Sequence, residues 1–209
     1  ALRLAEDESQ YRAALESTIE ESDALIRTFN ALLMIARAES GQARDGMTEF
    51  DAAEIARGVG ELYEPLADEK GIQLKVDAPM AAPVHGNREL ISQALANLVD
   101  NAIKYGAPDG TPANGAGAEI VVKAVGEGDR ILLAVADGGH GIPEADRSRA
   151  VERFVRLEQS RSKPGSGLGL SLASAVARLH GGELKLEDNH PGLKTVISLP
   201  RAASVAAVS

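Results

Sequence analysis

The sequence predicts an α+β chain in which a long helix precedes an α/β sandwich, built on a mixed, largely antiparallel sheet with helices on one face. Two observations lead to this fold class. No Pro or Gly interrupts a helical pattern over residues 8–39. After Gly46, amphipathic helical segments and short alternating segments follow one another without the regular strand–helix–strand order of a parallel sheet.

The first segment carries an apolar or small residue at steps of three and four. This stripe consists of Tyr11, Leu15, Thr18, Ser22, Leu25, Phe29, Leu32 and Ala36. Because a helix of roughly 30 residues cannot bury such a stripe alone, we expect a helical partner, in a hairpin and a dimeric four-helix bundle. Residues 1–5 would end a preceding helix, and residues 6–10 would form the turn. The alternative is a long helix that lies on the globular domain.

The rest of the chain divides into a linker, one α/β domain and a tail. We expect boundaries at residues 1–40 for an incomplete helical hairpin, 41–46 for the linker, 47–200 for the domain and 201–209 for a frayed tail. Asp51 and Asn87 are the expected N-caps of two of its helices. The predicted helices span residues 51–69, 87–105 and 166–180. The predicted strands span residues 72–76, 83–85, 119–125, 130–137, 183–187 and 194–199. Residues 106–117 are predicted to form a loop, and residues 144–163 are polar with few apolar anchors.

Composition limits the function. The 209 residues contain no cysteine, which excludes disulfides, thiolate metal sites and thiol nucleophiles. A net charge of −9 and an aromatic content of 3% argue against nucleic acid as a partner. No stretch is apolar enough to span a bilayer. A membrane anchor would therefore lie outside this sequence.

Three polar or glycine-rich motifs follow in order. Asn97 and Asn101 share one helical face, where two amide oxygens could hold a hard cation such as Mg²⁺. Lys104 could offer its charge to a phosphate and Tyr105 could lie against a base. Local hydrogen bonding at a helix end is an equally good interpretation of this motif alone.

The second motif, residues 137–141, begins with Asp137 at the end of a predicted strand. Its carboxylate could accept the exocyclic amine of adenine, and the glycines would let backbone approach the ring. A simple Asp-Gly turn is the alternative. The third motif runs from Gly165 to Leu170 and opens a helix, where backbone N–H groups could bind phosphates. Its spacing differs from the Rossmann and Walker A patterns.

Together these residues resemble the catalytic and ATP-binding domain of sensor histidine kinases, within the Bergerat-fold ATPases. Residues 97–105 resemble the N box, 137–142 the G1 box, 153–156 the F box and 165–170 the G2 box. The helix over residues 10–39 resembles the second helix of the dimerisation and phosphotransfer hairpin.

The resemblance implies a role for each motif. Asn97 and Asn101 would hold Mg²⁺ and phosphate oxygens, Lys104 would contact phosphate, Tyr105 would stack on adenine and Asp137 would bind its amine. The remaining ATP-binding residues would be Gly139, Gly141, Ile142, Gly165, Gly167, Leu168, Gly169 and Leu170. Residues 144–164 would form a mobile ATP lid with cationic Arg153, Arg156, Arg161 and Lys163, anchored by Phe154. For Arg161 and Lys163 a solvated surface is an equal alternative.

The resemblance also implies a two-component phosphorelay. Asn97, Asn101 and Lys104 would serve phosphoryl transfer from ATP to a histidine and thence to an aspartate of a response-regulator receiver domain. The four histidines, His85, His140, His180 and His190, all lie outside the hairpin. We therefore expect the acceptor to precede Ala1, and this chain alone not to autophosphorylate.

Location and competing functions follow from the same resemblance. The expected location is the bacterial cytoplasm, as the cytoplasmic part of an inner-membrane sensor. Two alternatives are an anti-sigma-type serine kinase, which the long helix disfavours, and a non-catalytic dimeric scaffold that only senses ATP, which the intact boxes disfavour.

Overall fold

The computed structural model describes residues 8–40, 46–106, 118–157 and 166–202. The helices are α1 (Glu8–Ser40), α2 (Ala52–Glu69), α3 (Arg88–Tyr105), α4 (Glu144–Ala150) and α5 (Gly169–Leu179). The strands are β1 (Thr48–Asp51), β2 (Ile72–Asp77), β3 (Pro83–Gly86), β4 (Ala118–Glu127), β5 (Arg130–Asp137), β6 (Glu183–Asp188) and β7 (Leu193–Pro200). In the described ranges, no helix is both long and apolar enough to cross a membrane.

The main sheet has five strands in the order β2-β4-β5-β7-β6. β2 and β4 are parallel, and the other three pairs are antiparallel. β1 and β3 form a separate antiparallel pair. The mixed, largely antiparallel sheet is therefore confirmed. Alternation puts Ile120, Leu133 and Ile197 in a core shared with Ile91 and Leu95 of α3, all of them fully buried.

Both predicted N-caps are confirmed. Asp51 Oδ1 accepts hydrogen bonds from Ala53 N at 2.9 Å and from Ala82 N at 2.7 Å, so it caps α2 and ties down the chain before β3. Asn87 Oδ1 accepts from Leu90 N at 3.1 Å at the start of α3. Each cap satisfies a backbone donor that the helix itself leaves unpaired.

The structure corrects four sequence-based expectations. α4 forms inside the polar stretch over residues 144–163, where no helix was predicted, and β1 was not predicted. α5 begins at Gly169 rather than Ser166, because Gly167 adopts a left-handed backbone with φ +71°. Residues 8–10 belong to α1 rather than to a turn. Residues 1–7, residues 41–45 of the predicted linker, residues 107–117 of the predicted loop, residues 158–165 and residues 203–209 lie outside the described ranges.

α1 carries apolar residues on two opposite sides. Ile35 and Ala38 are buried where the C-terminal half of α1 packs against α5, which is the alternative arrangement on the globular domain. The other side exposes a second stripe that we call the α1 outer stripe. It consists of Leu15, Ile19, Ile26, Phe29 and Leu33. Ile26 is nine residues from Ile35, which turns it about 180° around the helix axis.

Most of the predicted stripe of α1 is exposed in the single chain, and its covering by a helical partner stays a prediction. Leu32 is half-buried against the core, whereas Tyr11, Leu25 and Phe29 are exposed. Heptad spacing alone did not separate the side that packs on the domain from the side that faces outwards, because both sides repeat at three and four residues.

Candidate functional site

A cavity of about 700 Å³ opens between α3, the loop after β5, the start of α5 and one side of α1. Its volume is within the range typical of small-molecule sites. The predicted site residues that line it are Asn97, Asn101, Lys104, Tyr105, Asp137, Gly141, Ile142, Gly167, Leu168, Gly169 and Leu170. Gly139 is not part of the lining, and Gly165 lies outside the described residues. The three sequence motifs thus meet at one site.

Asp137 is the buried acid of the cavity, with 8% of its surface exposed. Its Oδ1 accepts hydrogen bonds from Gly139 N at 2.9 Å and from Leu193 N at 3.3 Å. Burial raises the pKa of Asp137, and these two backbone donors oppose the shift. The carboxylate is therefore costly to ionise until a ligand donor compensates it.

Two glycines of the Asp137 loop serve protein packing. A Cβ on Gly139 would stand 2.4 Å from the carbonyl oxygen of Tyr105. A Cβ on Gly141, which has φ +67°, would stand 2.6 Å from the carbonyl oxygen of Gly192. The missing side chains therefore let the loop lie against the end of α3 and against the β6–β7 turn. Clearance for a ligand ring, which the sequence suggests for both glycines, stays a prediction.

The polar side chains of α3 face the cavity from one side of the helix. Asn97 donates from Nδ2 to the carbonyl of Gln93 at 2.9 Å, which orients its amide with Oδ1 as the remaining acceptor. The Asn101 amide lies against Gly169. Lys104 forms an ion pair with Asp100 one turn earlier on the same helix. Asp100 also lines the cavity. Burial, with a smaller contribution from the Asp100 charge, raises the pKa of Tyr63.

The start of α5 offers backbone donors. Leu168 is its N-cap residue, makes no side-chain cap hydrogen bond and is fully buried at the cavity wall. An uncapped helix N-terminus presents N–H groups and a partial positive charge, which suit an anion. Phe154 N donates to Gly167 O at 3.1 Å, so the F-box segment is attached to this loop by a backbone hydrogen bond.

The first part of the predicted lid is the helix α4. Arg147 on α4 donates from Nε to Ile142 O at 3.0 Å and lies 3.9 Å from an Asp188 carboxylate oxygen. Arg153 forms an ion pair with Glu39 of α1, and Arg156 lines the cavity. The prediction that Phe154 anchors the lid is wrong, because its side chain is 59% exposed. Arg161 and Lys163 lie outside the described residues.

Sequence reasoning missed two parts of the wall. Glu21, Leu25, Thr28 and Ala31 of α1 line the cavity because α1 packs beside it. No local pattern encodes that placement. Thr195 also lines it, is 6% exposed and donates from Oγ1 to Val135 O at 3.2 Å. The sequence contains one sign of this: Thr195 puts a hydroxyl at a position of a predicted strand that alternation expects to be buried.

Known proteins are similar to this chain in sequence and in fold. Residues 86–203 match the family described as "Histidine kinase-, DNA gyrase B-, and HSP90-like ATPase". The sensor protein IrlS of Burkholderia pseudomallei is 32% identical over 94% of this chain and 40% of its own length. The sensor-like histidine kinase SenX3 of Mycolicibacterium smegmatis is 31% identical over 95% of this chain and 50% of its own length. The chain thus spans half or less of these relatives.

Solved structures of histidine kinases are similar to this chain in fold. The catalytic domain of histidine kinase ThkA covers 74% of this chain and 97% of its own, with 25% identity and a TM-score of 0.63. Full-length ShkA in complex with AMPPNP covers 92% of this chain and 39% of its own, with 27% identity and a TM-score of 0.71. The four ordered motifs of this chain, its mixed sheet and these matches agree. The chain therefore belongs to the histidine kinase-, DNA gyrase B- and HSP90-like ATPases, as the ATP-binding catalytic core of a sensor histidine kinase.

Proposed function

We propose that this chain binds ATP with Mg²⁺ and directs the γ-phosphoryl group to a histidine, from which a receiver-domain aspartate takes it. The observation that carries the proposal is the convergence of a buried carboxylate, two asparagine amides and an uncapped helix N-terminus on one cavity. A nucleoside triphosphate needs an acceptor for the base, donors for phosphates and oxygens for its metal. The cavity offers each kind of group.

The base would lie at the Asp137 end. The adenine amine would donate to Asp137 and so compensate the buried carboxylate, while the Tyr105 ring would stack on the base. A purine without that amine would leave the carboxylate uncompensated. Adenine should therefore bind better than hypoxanthine.

The phosphates would lie between α3 and α5. The first-turn N–H groups of α5 would donate to phosphate oxygens, and Lys104 and Arg156 would supply positive charge. Gly165, Gly167, Leu168, Gly169 and Leu170 would border the triphosphate, while Gly139, Gly141 and Ile142 would shape the loop beside the base. Asn97 and Asn101 would hold Mg²⁺ through amide oxygens, and the metal would neutralise phosphate charge.

Mg²⁺ suits this set of ligands. In the described ranges, no three His, Cys, Asp or Glu side chains form a metal cluster. The side-chain oxygens that α3 presents to the cavity are the amides of Asn97 and Asn101 and the carboxylate of Asp100, which is paired with Lys104. Mg²⁺ commonly takes one or two protein oxygens and completes its shell with phosphates and water. This donor set therefore fits a metal that arrives with its nucleotide.

We further propose the domain division and the partners. Residues 1–40 would belong to a dimerising helical hairpin, 41–46 to a linker, 47–200 to the catalytic domain and 201–209 to a tail. The α1 outer stripe supports this arrangement, because it is apolar, heptad-spaced and exposed in a single chain. Its partner would be a second copy, and the location would be the bacterial cytoplasm beside an inner-membrane anchor.

The test is calorimetric titration of ATP with and without Mg²⁺, comparing the unaltered chain with Asn101→Ala. We expect Mg²⁺ to tighten ATP binding by roughly tenfold or more in the unaltered chain, and much less in the variant. Equal Mg²⁺ dependence in both proteins would contradict the role of Asn101. In parallel, incubation with γ-labelled ATP should leave this chain without acid-labile label, since its four histidines lie outside the helix that would carry an acceptor.

A further inference from the structure

The turn between β6 and β7 is bound to the Asp137 loop at several points. Asn189 donates from Nδ2 to the backbone carbonyl of Asp137 at 2.8 Å. Leu193 N donates to the Asp137 carboxylate at 3.3 Å. The turn therefore contacts both the backbone carbonyl and the side-chain carboxylate of Asp137. These two contacts restrict the position of the carboxylate.

The contact requires a close backbone approach. Gly192 has φ +114°, and a Cβ there would stand 1.8 Å from the Asp137 carbonyl oxygen. The Asn189 N–H donates to Gly192 O at 3.2 Å, so the turn is closed by its own hydrogen bond. Only glycine permits this approach without displacement. The hydrogen bond within the turn thus holds the Asn189 backbone in place, so that its side-chain amide lies beside the Asp137 loop.

A second link lies at the far end of the same loop. Arg147 donates to Ile142 O and lies near Asp188, the last residue of β6. The Asp137–Ile142 loop is consequently hydrogen-bonded to the β6–β7 region at its beginning, and at its end Arg147 links it to Asp188 by a charge contact at 3.9 Å. Asn189 is the residue whose side chain makes the direct contact with Asp137 and is itself exposed on the turn.

We infer that Asn189 is a positioning residue that sets base specificity, by holding the Asp137 main chain so that the carboxylate meets an adenine amine. The inference rests on the proposed function, because it assumes that Asp137 accepts that amine. Asn189 touches no ligand atom in this account. It acts through Asp137 alone.

Without the Asn189 amide, the Asp137 carbonyl loses its side-chain donor and the loop gains freedom. A carboxylate that is no longer fixed recognises the amine less well, since a directed hydrogen bond depends on distance and angle. Hypoxanthine carries a carbonyl oxygen where adenine carries the amine. Its binding depends less on the position of Asp137. The loss should therefore fall on adenine nucleotides selectively.

The experiment is calorimetric titration of Mg-ADP and Mg-IDP into the unaltered chain, Asn189→Ala and Asn189→Ser. We expect the unaltered chain to prefer ADP by roughly tenfold or more. We expect both variants to lower the ADP:IDP affinity ratio by about fivefold, with IDP affinity nearly unchanged. Because Asn189 is exposed on a turn, both variants should fold, and thermal melting checks this for each.

The matched control is His190→Asn in the same turn. The His190 side chain is 85% exposed, its Nδ1 lies 3.2 Å from an Asp188 carboxylate oxygen, and Asn tolerates its positive φ of 46°. This variant should keep the ratio of the unaltered chain. A parallel loss of ADP and IDP affinity in the Asn189 variants, or an unchanged ratio, would overturn the inference. No ADP preference in the unaltered chain would instead contradict adenine recognition by Asp137, and so the proposed function.

Discussion

The Asn101 amide lies against the Cα of Gly169, where a Cβ would stand 2.8 Å from Asn101 Nδ2. Asn101 lies on α3 and Gly169 is the first residue of α5. The N box and the G2 box are therefore in contact at this point, and the contact requires that residue 169 has no Cβ. This contact links the proposed metal ligand to the proposed phosphate site.

Gly169→Ala should weaken Mg-ATP binding by about tenfold, because the new methyl group displaces the Asn101 amide from the cavity. Calorimetric titration measures the change. Gly58→Ala is the matched control, since nothing lies within 4 Å of a Cβ there. As an exposed position inside α2, it should raise stability by up to about 1 kcal/mol and leave ATP affinity alone. Unchanged affinity in Gly169→Ala would show that the Asn101 side chain is not needed at its present position.

Asp100→Asn should strengthen ATP binding several-fold. Asp100 pairs with Lys104 and puts a negative charge on the wall of a cavity proposed to hold a triphosphate. Neutralising it removes repulsion and releases the Lys104 ammonium toward phosphate. Titrations at two salt concentrations test this, because an electrostatic gain shrinks as salt rises. Weaker binding would mean instead that Asp100 orients Lys104 for the nucleotide.

Acidification should destabilise the fold through His180. Asn87 N donates to His180 Nε2 at 2.9 Å, so the proton resides on Nδ1, which bonds Val176 O at 2.7 Å. Burial, with a smaller contribution from His85, lowers the pKa of His180 from 6.5, against the Val176 hydrogen bond. The stabilising contribution of neutral His180 is complete above pH 6.5, where this histidine is neutral in the unfolded chain too. It declines as the pH falls from 6.5 towards the lower pKa of His180 in the folded state.

Urea unfolding between pH 5 and 8 measures this effect. The raised pKa of Asp137 acts in the opposite direction, so the comparison is with His180→Gln, whose pH dependence should be flatter. His190→Asn changes an exposed histidine and should keep the slope of the unaltered chain. Identical slopes in the unaltered chain and His180→Gln would remove His180 as the cause.

Ile26→Glu should convert a dimer into a monomer. Ile26 is 58% exposed in the single chain and lies in the middle of the α1 outer stripe, which we propose to face a second copy. The substitution puts a charge at that position. Light scattering after size-exclusion chromatography reports the mass. Leu62→Glu alters a similarly exposed leucine on α2 and should remain dimeric. A monomeric unaltered chain at micromolar concentration would contradict dimerisation through this stripe.

The sequence predicted those parts that depend on local rules. Asp51 and Asn87 were recognisable as caps because a helix start needs a side-chain acceptor, and β4 and β5 were visible from alternation. The order of the boxes identified the cavity walls contributed by α3, the Asp137 loop and α5. These features depend on neighbours in the chain.

Features that depend on tertiary packing were missed. Heptad spacing could not tell that Ile35 packs on the domain while Ile26 is exposed, because the choice depends on where α5 lies. Likewise, the close approach of Gly139 to the Tyr105 carbonyl is visible only in the fold, whereas the sequence predicts clearance for a ligand there. The contact of Asn189 with Asp137 joins residues 52 positions apart and leaves no local trace.

The central claim is that Asp137 recognises the base of ATP in this cavity. Calorimetric titration of Mg-ATP into the unaltered chain and Asp137→Asn tests it most directly. We predict one site per chain, and at least about tenfold weaker binding in the variant, because a neutral amide is a poorer acceptor for the adenine amine than a carboxylate. Equal affinity in the two proteins, or no binding to the unaltered chain, would contradict the claim.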